Sequence, residues 1–264
     1  MRTGLRPLKN LSQNFLKDET YAARLVESMD IQPGETVLEI GAGEGVLTRY
    51  LMQSDAAKVI AVELDTRMLP WLKMRFGDDA RFKLIAEDFL KLNLDELIAP
   101  FAPDPLRVCG NLPYAITSPI LFTLLDHRDG VKDFTVTVQK EVAERFASPP
   151  GCKAYGVPSI LFQLYGDLKT LFNVPRGAFE PVPKVESAVL QCVFLNQARF
   201  PVQDQKLFEK LVKTGFSQRR KMLRNTIQSM VGDIPDLPVE LTQRPEQLSV
   251  ATWAELANLI AANN

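Results

Sequence analysis

ETVLEIGAGEGVLTRYLMQ (residues 35–53) joins a short apolar run to a stretch with helical spacing through Gly41, Gly43 and Gly45. Glycines at such a junction permit tight turning and close backbone approach. The N-terminus of the following helix presents free N–H groups and positive potential. The spacing misses the dinucleotide fingerprint G-x-G-x-x-G, because the third glycine comes one residue early. It also lacks the Lys-Ser/Thr pair of a phosphate-binding loop. A nucleoside is therefore favoured over a pyrophosphate, with a plain strand-to-helix turn as the alternative.

Strand and helix patterns alternate outward from this loop. KVIAVELD (58–65) is a β-rich run followed by the helical RMLPWLKMRF (67–76), and RFKLIAEDFL (81–90), LRVCGN (106–111) and DFTVTVQKE (133–141) are further strand candidates. DLKTLFNVP (167–175) and SAVLQCVFL (187–195) read as a hairpin pair with no good helix between them. Strands alternating with helices imply an α/β fold, a doubly wound and mostly parallel sheet covered on both faces; the hairpin would add an antiparallel edge. After about residue 200 the pattern is helical only, in 203–231 and 248–264, with the Pro-rich DIPDLPVELTQRPEQ between them. The expected organisation is a sheet domain over 1–198 and a small all-helical domain over 199–264, near the lower size limit for folding alone.

Composition narrows the chemistry. The 264 residues are 46% hydrophobic and 24% charged, enough for a full core, and no apolar run reaches the roughly 18 residues of a membrane span. The basic N-terminus has no apolar core and is not read as a secretory signal. Cys109, Cys152 and Cys192 are an odd, widely spaced set, which argues against disulfides or a zinc site and for three small buried residues in a reducing cytosol. His127 is the only histidine, so His-centred acid–base or nucleophilic catalysis is disfavoured. Net charge is −1 and the isoelectric point about 6.0, which speaks against a nucleic-acid partner. The distribution speaks for one. Residues 1–17 hold Arg2, Arg6, Lys9 and Lys17 with no acid, and residues 206–224 hold seven cations against Glu209 alone. Phosphate contact and a solvated helix face are the two readings of these clusters.

Three strand ends carry the candidate chemistry. Glu63 closes the second strand, 18 residues past Gly45, where a carboxylate can accept from both ribose hydroxyls. Asp88, beside Phe89, ends the third strand, where an adenine could be hydrogen-bonded and stacked. GNLPY (110–114) follows the fourth strand. The amide oxygen of Asn111 and the carbonyl of Leu112 or Pro113 are uncharged acceptors suited to an exocyclic amine. Accepting both N–H groups would localise the nitrogen lone pair and aim it at an electrophile. Tyr114 and Phe179 could stack on a base, worth about 1–3 kcal/mol. The same residues are also good turn formers.

LSQNFLKD (11–18), VLEIGAGEGVLT (37–48), GNLPY (110–114), QKEVAERF (139–146), FEPVPKVESAVL (179–190), SQRRKMLRN (217–225) and RPEQLSV (244–250) together resemble the ribosomal RNA adenine dimethyltransferases of the KsgA (RsmA) type, almost end to end. The resemblance implies a Rossmann-like class I methyltransferase sheet of seven strands and S-adenosyl-L-methionine as methyl donor. It further implies two adjacent adenosines near the 3′ end of small-subunit (16S) rRNA as acceptors, late in assembly of the 30S subunit. By the same resemblance Asn14, Leu16, Gly41, Glu63, Asp88 and Asn111 should bind the cofactor. Asn111, Leu112, Pro113, Tyr114 and Phe179 should form the catalytic pocket, and Arg219, Arg220, Lys221 and Arg224 should grip RNA. A cytoplasmic monomer with no metal and no membrane contact is expected. Ser12, Ala42 and Ala115 depart from the family's usual glycine, proline and asparagine. The rival readings are a large-subunit rRNA adenine methylase and a non-catalytic ribosome-assembly factor on the same fold.

Overall fold

A computed structural model of the chain describes residues 13–263, so the cations Arg2, Arg6 and Lys9 and the departure at Ser12 lie outside the described residues. The chain runs β1 (Phe15–Leu16), α1 (Glu19–Ser28), β2 (Thr36–Ile40), α2 (Val46–Gln53), β3 (Lys58–Val62), α3 (Leu69–Phe76), β4 (Phe82–Ile85), α4 (Leu94–Ile98), β5 (Leu106–Asn111), α5 (Thr117–Asp126) and β6 (Val131–Gln139). It continues through α6 (Lys140–Ala147), α7 (Val157–Tyr165), β7 (Gly166–Val174), β8 (Phe179–Glu180), β9 (Ser187–Phe194), α8 (Gln205–Gly215), α9 (Gln228–Val231) and α10 (Val250–Ala262). Among the described residues two compact units result: 13–143 with Lys169–Phe194, and Glu144–Leu168 with 195–263.

The first unit is built on a seven-stranded sheet in the order β4-β3-β2-β5-β6-β9-β7. Strands β2 to β6 pair in parallel and β9 pairs antiparallel with β6, giving the doubly wound α/β sheet. Parallel neighbours need crossover connections, which α2, α3, α4 and α5 supply. Strands covered on both faces read as near-continuous apolar runs, and Val59–Val62 of β3 is buried throughout. Ala22 and Leu25 of α1 and Leu47 and Leu51 of α2 pack with Val37, Val59, Cys109 and Val189 in one core cluster. The Asp18 side chain caps α1 by accepting from the Thr20 N–H at 3.1 Å.

The chain passes outward from β2 to β3 and β4, then returns to lay β5 on the other side of β2. That reversal opens a crevice at the carboxyl ends of β2 and β5, where open α/β sheets take ligands. The two strands approach closely there: a Cβ on Gly110 would sit 2.5 Å from the Ile40 carbonyl oxygen, so only glycine fits.

Some expected boundaries move. The run 81–90 ends as a strand at Ile85, because the Asp88 side chain caps a tight turn over Phe89–Lys91 by accepting from Leu90 N–H. Cys109 and Cys192 are buried as expected, whereas Cys152 is exposed. Helix α5 gave no sequence signal; its TSPILFTLLD is apolar around most of its circumference and so lacks a clear amphipathic period.

In the second unit, residues 144–168 group with the C-terminal segment rather than with the sheet on the near side of a 198/199 boundary. The reason is a set of specific bonds: Leu195 N–H to Tyr165 O at 2.8 Å, Arg199 N–H to Leu164 O at 2.8 Å, and an Arg199–Asp167 ion pair. The continuous helix expected over 203–231 stops at Gly215. Trp253 lies against that glycine, and beyond it Leu223 N–H and Arg224 N–H bond to Gln243 O and Leu241 O instead of to a helical ladder. Tyr155, Phe216 and Trp253 stack in sequence, with centroids 6.4 and 6.1 Å apart. Among the described residues, no helix is long and apolar enough to cross a membrane, and no group of three or more His, Cys, Asp or Glu is placed to hold a metal.

Candidate active site

A single pocket at the crevice gathers most of the residues singled out above. Asn14, Gly41, Glu63, Asp88, Asn111, Leu112, Pro113 and Tyr114 all line it, as does the departing Ala115. Leu16 and Phe179 do not. They face each other in the β1–β8 ladder, 5% and 0% exposed, inside the core cluster. Phe179 is therefore a core residue and presents no face to a base.

The glycine loop is shaped by its backbone. Gly41, Gly43 and Gly45 all adopt positive φ, and at Gly45 a Cβ would also meet the Phe76 ring at 2.7 Å. Gly43 N–H donates to Glu63 Oε2 at 2.7 Å and Asp65 N–H to Glu63 Oε1 at 2.7 Å, which fixes the carboxylate across the loop. Burial raises the Glu63 pKa against these two bonds, and the nearby Asp65 charge adds to the rise. Asp65 itself is held down to about 2, chiefly by the Arg67 guanidinium and further by Gln13.

Sequence reasoning missed Glu39, which sits behind the loop. It is buried on β2; its Oε2 accepts from the Thr48 hydroxyl at 2.6 Å, and its Oε1 has no partner. Burial pushes its carboxyl up to about 7, against the Thr48 bond and helped by the Glu63 charge. An acid whose folded pKa lies above its unfolded value, 4.5 here, binds more protons when folded. Stability is then greatest below about pH 4.5 and falls as pH rises towards 7. Glu39→Gln removes that titration. Its stability relative to the native chain should rise by on the order of 3 kcal/mol between acid and neutral pH, measured by urea unfolding. Identical pH dependence in both proteins would show that Glu39 does not titrate in this range.

The N-terminal segment contributes Gln13, Asn14 and Phe15 to the pocket lining. Gln13 Nε2 donates to Asp65 Oδ2 at 3.0 Å, and the Phe15 ring lies where a Cβ on Gly43 would come within 3.2 Å. The Asn111 amide Nδ2 donates to the Asn14 carbonyl at 2.7 Å. That bond orients the amide and leaves its Oδ1 as an acceptor. The Pro113 carbonyl is already bonded to Ile116 N–H at 3.2 Å and the Thr117 hydroxyl at 3.0 Å. Of the two carbonyls, that of Pro113 is thus occupied within its own turn.

Two observations suit this pocket to an adenosyl group. Leu64 and Leu90 line it while 47% and 37% exposed, apolar side chains left uncovered beside the acidic Glu63 and Asp88. Asp88 lines it too, with Oδ1 accepting the Leu90 N–H of the turn it caps. The model of one family, described as ribosomal RNA adenine dimethylase, matches residues 6–262 of the chain.

The chain belongs to the ribosomal RNA adenine dimethylase family.

Its relatives include a protein of Pseudomonas aeruginosa named ribosomal RNA small subunit methyltransferase A, 41% identical over 97% of this chain and 95% of the relative. A protein of the same name from Parabacteroides distasonis is 44% identical over 96% and 93%. Among solved structures, a dimethyladenosine transferase from Plasmodium falciparum superposes with a TM-score of 0.77 at 23% identity, covering 92% of this chain and 95% of that one. The 23S rRNA methyltransferase ErmE gives 0.71 at 24%, covering 94% and 100%. These two likenesses bear on the fold, which is the Rossmann-like methyltransferase fold.

The basic residues expected of an rRNA adenine dimethylase lie in the second unit and are not equivalent. Arg220, Lys221 and Arg224 are exposed. Arg219 donates to the carbonyls of Lys153 and Tyr155 at 2.7 and 2.6 Å, and its guanidinium lies 5.8 Å from the Phe216 ring centroid. It ties the 153–155 turn in place.

Proposed function

We propose that this rRNA adenine dimethylase transfers methyl groups from S-adenosyl-L-methionine to N6 of two adjacent adenosines near the 3′ end of small-subunit rRNA. The setting is late assembly of the 30S subunit, and the enzyme acts as a cytoplasmic monomer. The observation that carries this reading is the oriented pair of acceptors, Asn111 Oδ1 and the Leu112 carbonyl, at the end of β5 in the pocket that also holds Glu63 and Asp88.

S-adenosyl-L-methionine, when bound, supplies an electrophilic sulfonium methyl. Glu63 would hold its ribose, Asp88 its adenine, and Gly41 and Asn14 its remaining length. Asn111 and Leu112 accept the two N–H groups of the target amine. Those two bonds draw the nitrogen lone pair out of conjugation with the purine and point it along the pocket. Tyr114 offers its ring face to the base, a contact worth about 1–3 kcal/mol. No side chain need remove a proton before transfer, because the nitrogen sheds it afterwards to water. Among the described residues, no histidine or lysine lines the pocket, which agrees with this.

A duplex base could not reach these acceptors from within its stack, so the adenosine must be turned out of the helix or presented single-stranded. Arg220, Lys221 and Arg224 supply phosphate contacts, and Arg219 keeps the neighbouring turn ordered. The names of the relatives at about 40% identity support the small-subunit target over the large-subunit one. The test is incubation with labelled donor and small subunits lacking the modification. Label should appear as N6,N6-dimethyladenosine; RNA left unlabelled by protein that binds the donor would overturn the reading.

A further inference from the structure

We infer that Ser187 is a positioning residue of the target-base pocket, acting through Tyr114. Tyr114 Oη and Ser187 Oγ share a hydrogen bond of 2.6 Å across 73 residues of sequence. Ser187 is fully buried and Tyr114 half-buried, so water cannot readily replace that bond.

The serine is itself held from both sides. It opens β9 opposite Gln139 of β6, and the carbonyl of Glu186 before it accepts the Lys140 N–H at 3.0 Å. The tyrosine backbone is set by the turn that closes on the Pro113 carbonyl. A tyrosine ring has two torsions, and fixing its backbone leaves both free. Fixing the hydroxyl at the far end removes that freedom, so the ring face is set before a base arrives. Affinity and alignment then cost less ordering at the moment of binding.

The bond also decides what the hydroxyl does not do. Burial raises the Tyr114 pKa, partly offset by Ser187, so the phenol stays protonated near neutrality and serves orientation rather than proton transfer. Ser187 belongs to the run FEPVPKVESAVL, whose other members include the buried Phe179. The segment thus meets the pocket at the tip of the Tyr114 ring, through Ser187.

This inference rests on the proposed reading of the pocket as the site of an adenine base. Its test is a double-mutant cycle with Tyr114→Phe, Ser187→Ala and the two together, assayed for methyl transfer to small subunits. Each single variant should lower kcat/KM for RNA by up to about tenfold, the worth of one neutral hydrogen bond, with KM for the donor unchanged. The double variant should be no worse than Tyr114→Phe alone, because both changes delete the same bond. Ser187→Cys, which keeps the volume with a weaker partner, should fall between Ser187→Ala and the native enzyme. Single losses that multiply in the double variant would overturn the role of Ser187. So would a Ser187→Ala enzyme whose donor affinity and melting temperature fall as far as its activity. A native enzyme that methylates no RNA would instead overturn the reading of the site beneath it.

Discussion

Asn111→Ala should lower methyl transfer by about 100- to 1,000-fold while leaving donor binding little changed, the scale seen when one preorganised hydrogen-bond partner is removed from an active site. Alanine deletes the Oδ1 acceptor and leaves the target amine held by the Leu112 carbonyl alone. It also frees the Asn14 carbonyl, now bonded to the amide at 2.7 Å. The donor should still bind, since Gly41, Glu63 and Asp88 follow other strands, β2, β3 and β4. Asn111→Asp separates the two functions of the amide. A carboxylate keeps an acceptor but has no N–H for the Asn14 carbonyl and is repelled by it. Its activity should be low at neutral pH and partly recover as pH falls, because the protonated acid regains a donor. Single-turnover assays with saturating donor measure both variants; native rates in either would dismiss the clamp.

Arg107→Ala should destabilise the protein by about 3–5 kcal/mol with no direct effect on the pocket. Arg107 is 4% exposed at the start of β5, the end of the strand away from Asn111. Its guanidinium bonds Asp133 at 2.6 and 3.1 Å, Glu35 at 2.8 Å and the Asp30 carbonyl at 3.1 Å, and Lys132 completes the network at Glu35. One side chain thus ties β5 to the start of β6 and to the loop before β2. Removing it leaves the buried Asp133 without its paired guanidinium. Burial already raises the Asp133 pKa against the pull of Arg107, and without the arginine it would rise further. The folded form would then favour the protonated acid, so the deficit should be smaller near pH 4 than at pH 7. Arg107→Lys keeps the charge but not the fork, and should lose less. Urea unfolding at the two pH values reads all of this; a deficit independent of pH would show that Asp133 is not the group left exposed to the cost.

The parts legible in sequence were those where one residue type answers one local need. Glycines at positive φ between an apolar strand and a helix, acids at successive strand ends, and an Asn-Leu-Pro-Tyr turn each announce themselves without reference to distant chain. What stayed hidden depends on long-range placement. Phe179 is a plausible stacking ring by type, yet pairing with β1 turns it into the core. Arg219 sits in a basic run that reads as one exposed cluster, yet it alone is seen to donate to the carbonyls of Lys153 and Tyr155. The helix expected over 203–231 has the right apolar spacing, yet it ends at Gly215, and farther on Leu223 and Arg224 give their N–H groups to Gln243 and Leu241. Glu39 and Ser187 drew no site assignment, since a lone acid in a strand and a serine opening one are common. Their significance comes from a buried carboxyl with one unpaired oxygen, and from a bond spanning 73 residues.

The most direct measurement is methyl transfer from labelled S-adenosyl-L-methionine, with undermethylated small subunits, free small-subunit rRNA and large subunits assayed side by side and the RNA digested to nucleosides. The account predicts label in N6,N6-dimethyladenosine at two adjacent positions of small-subunit rRNA, and none in large subunits. Label confined to large subunits, or none in any RNA, would contradict it.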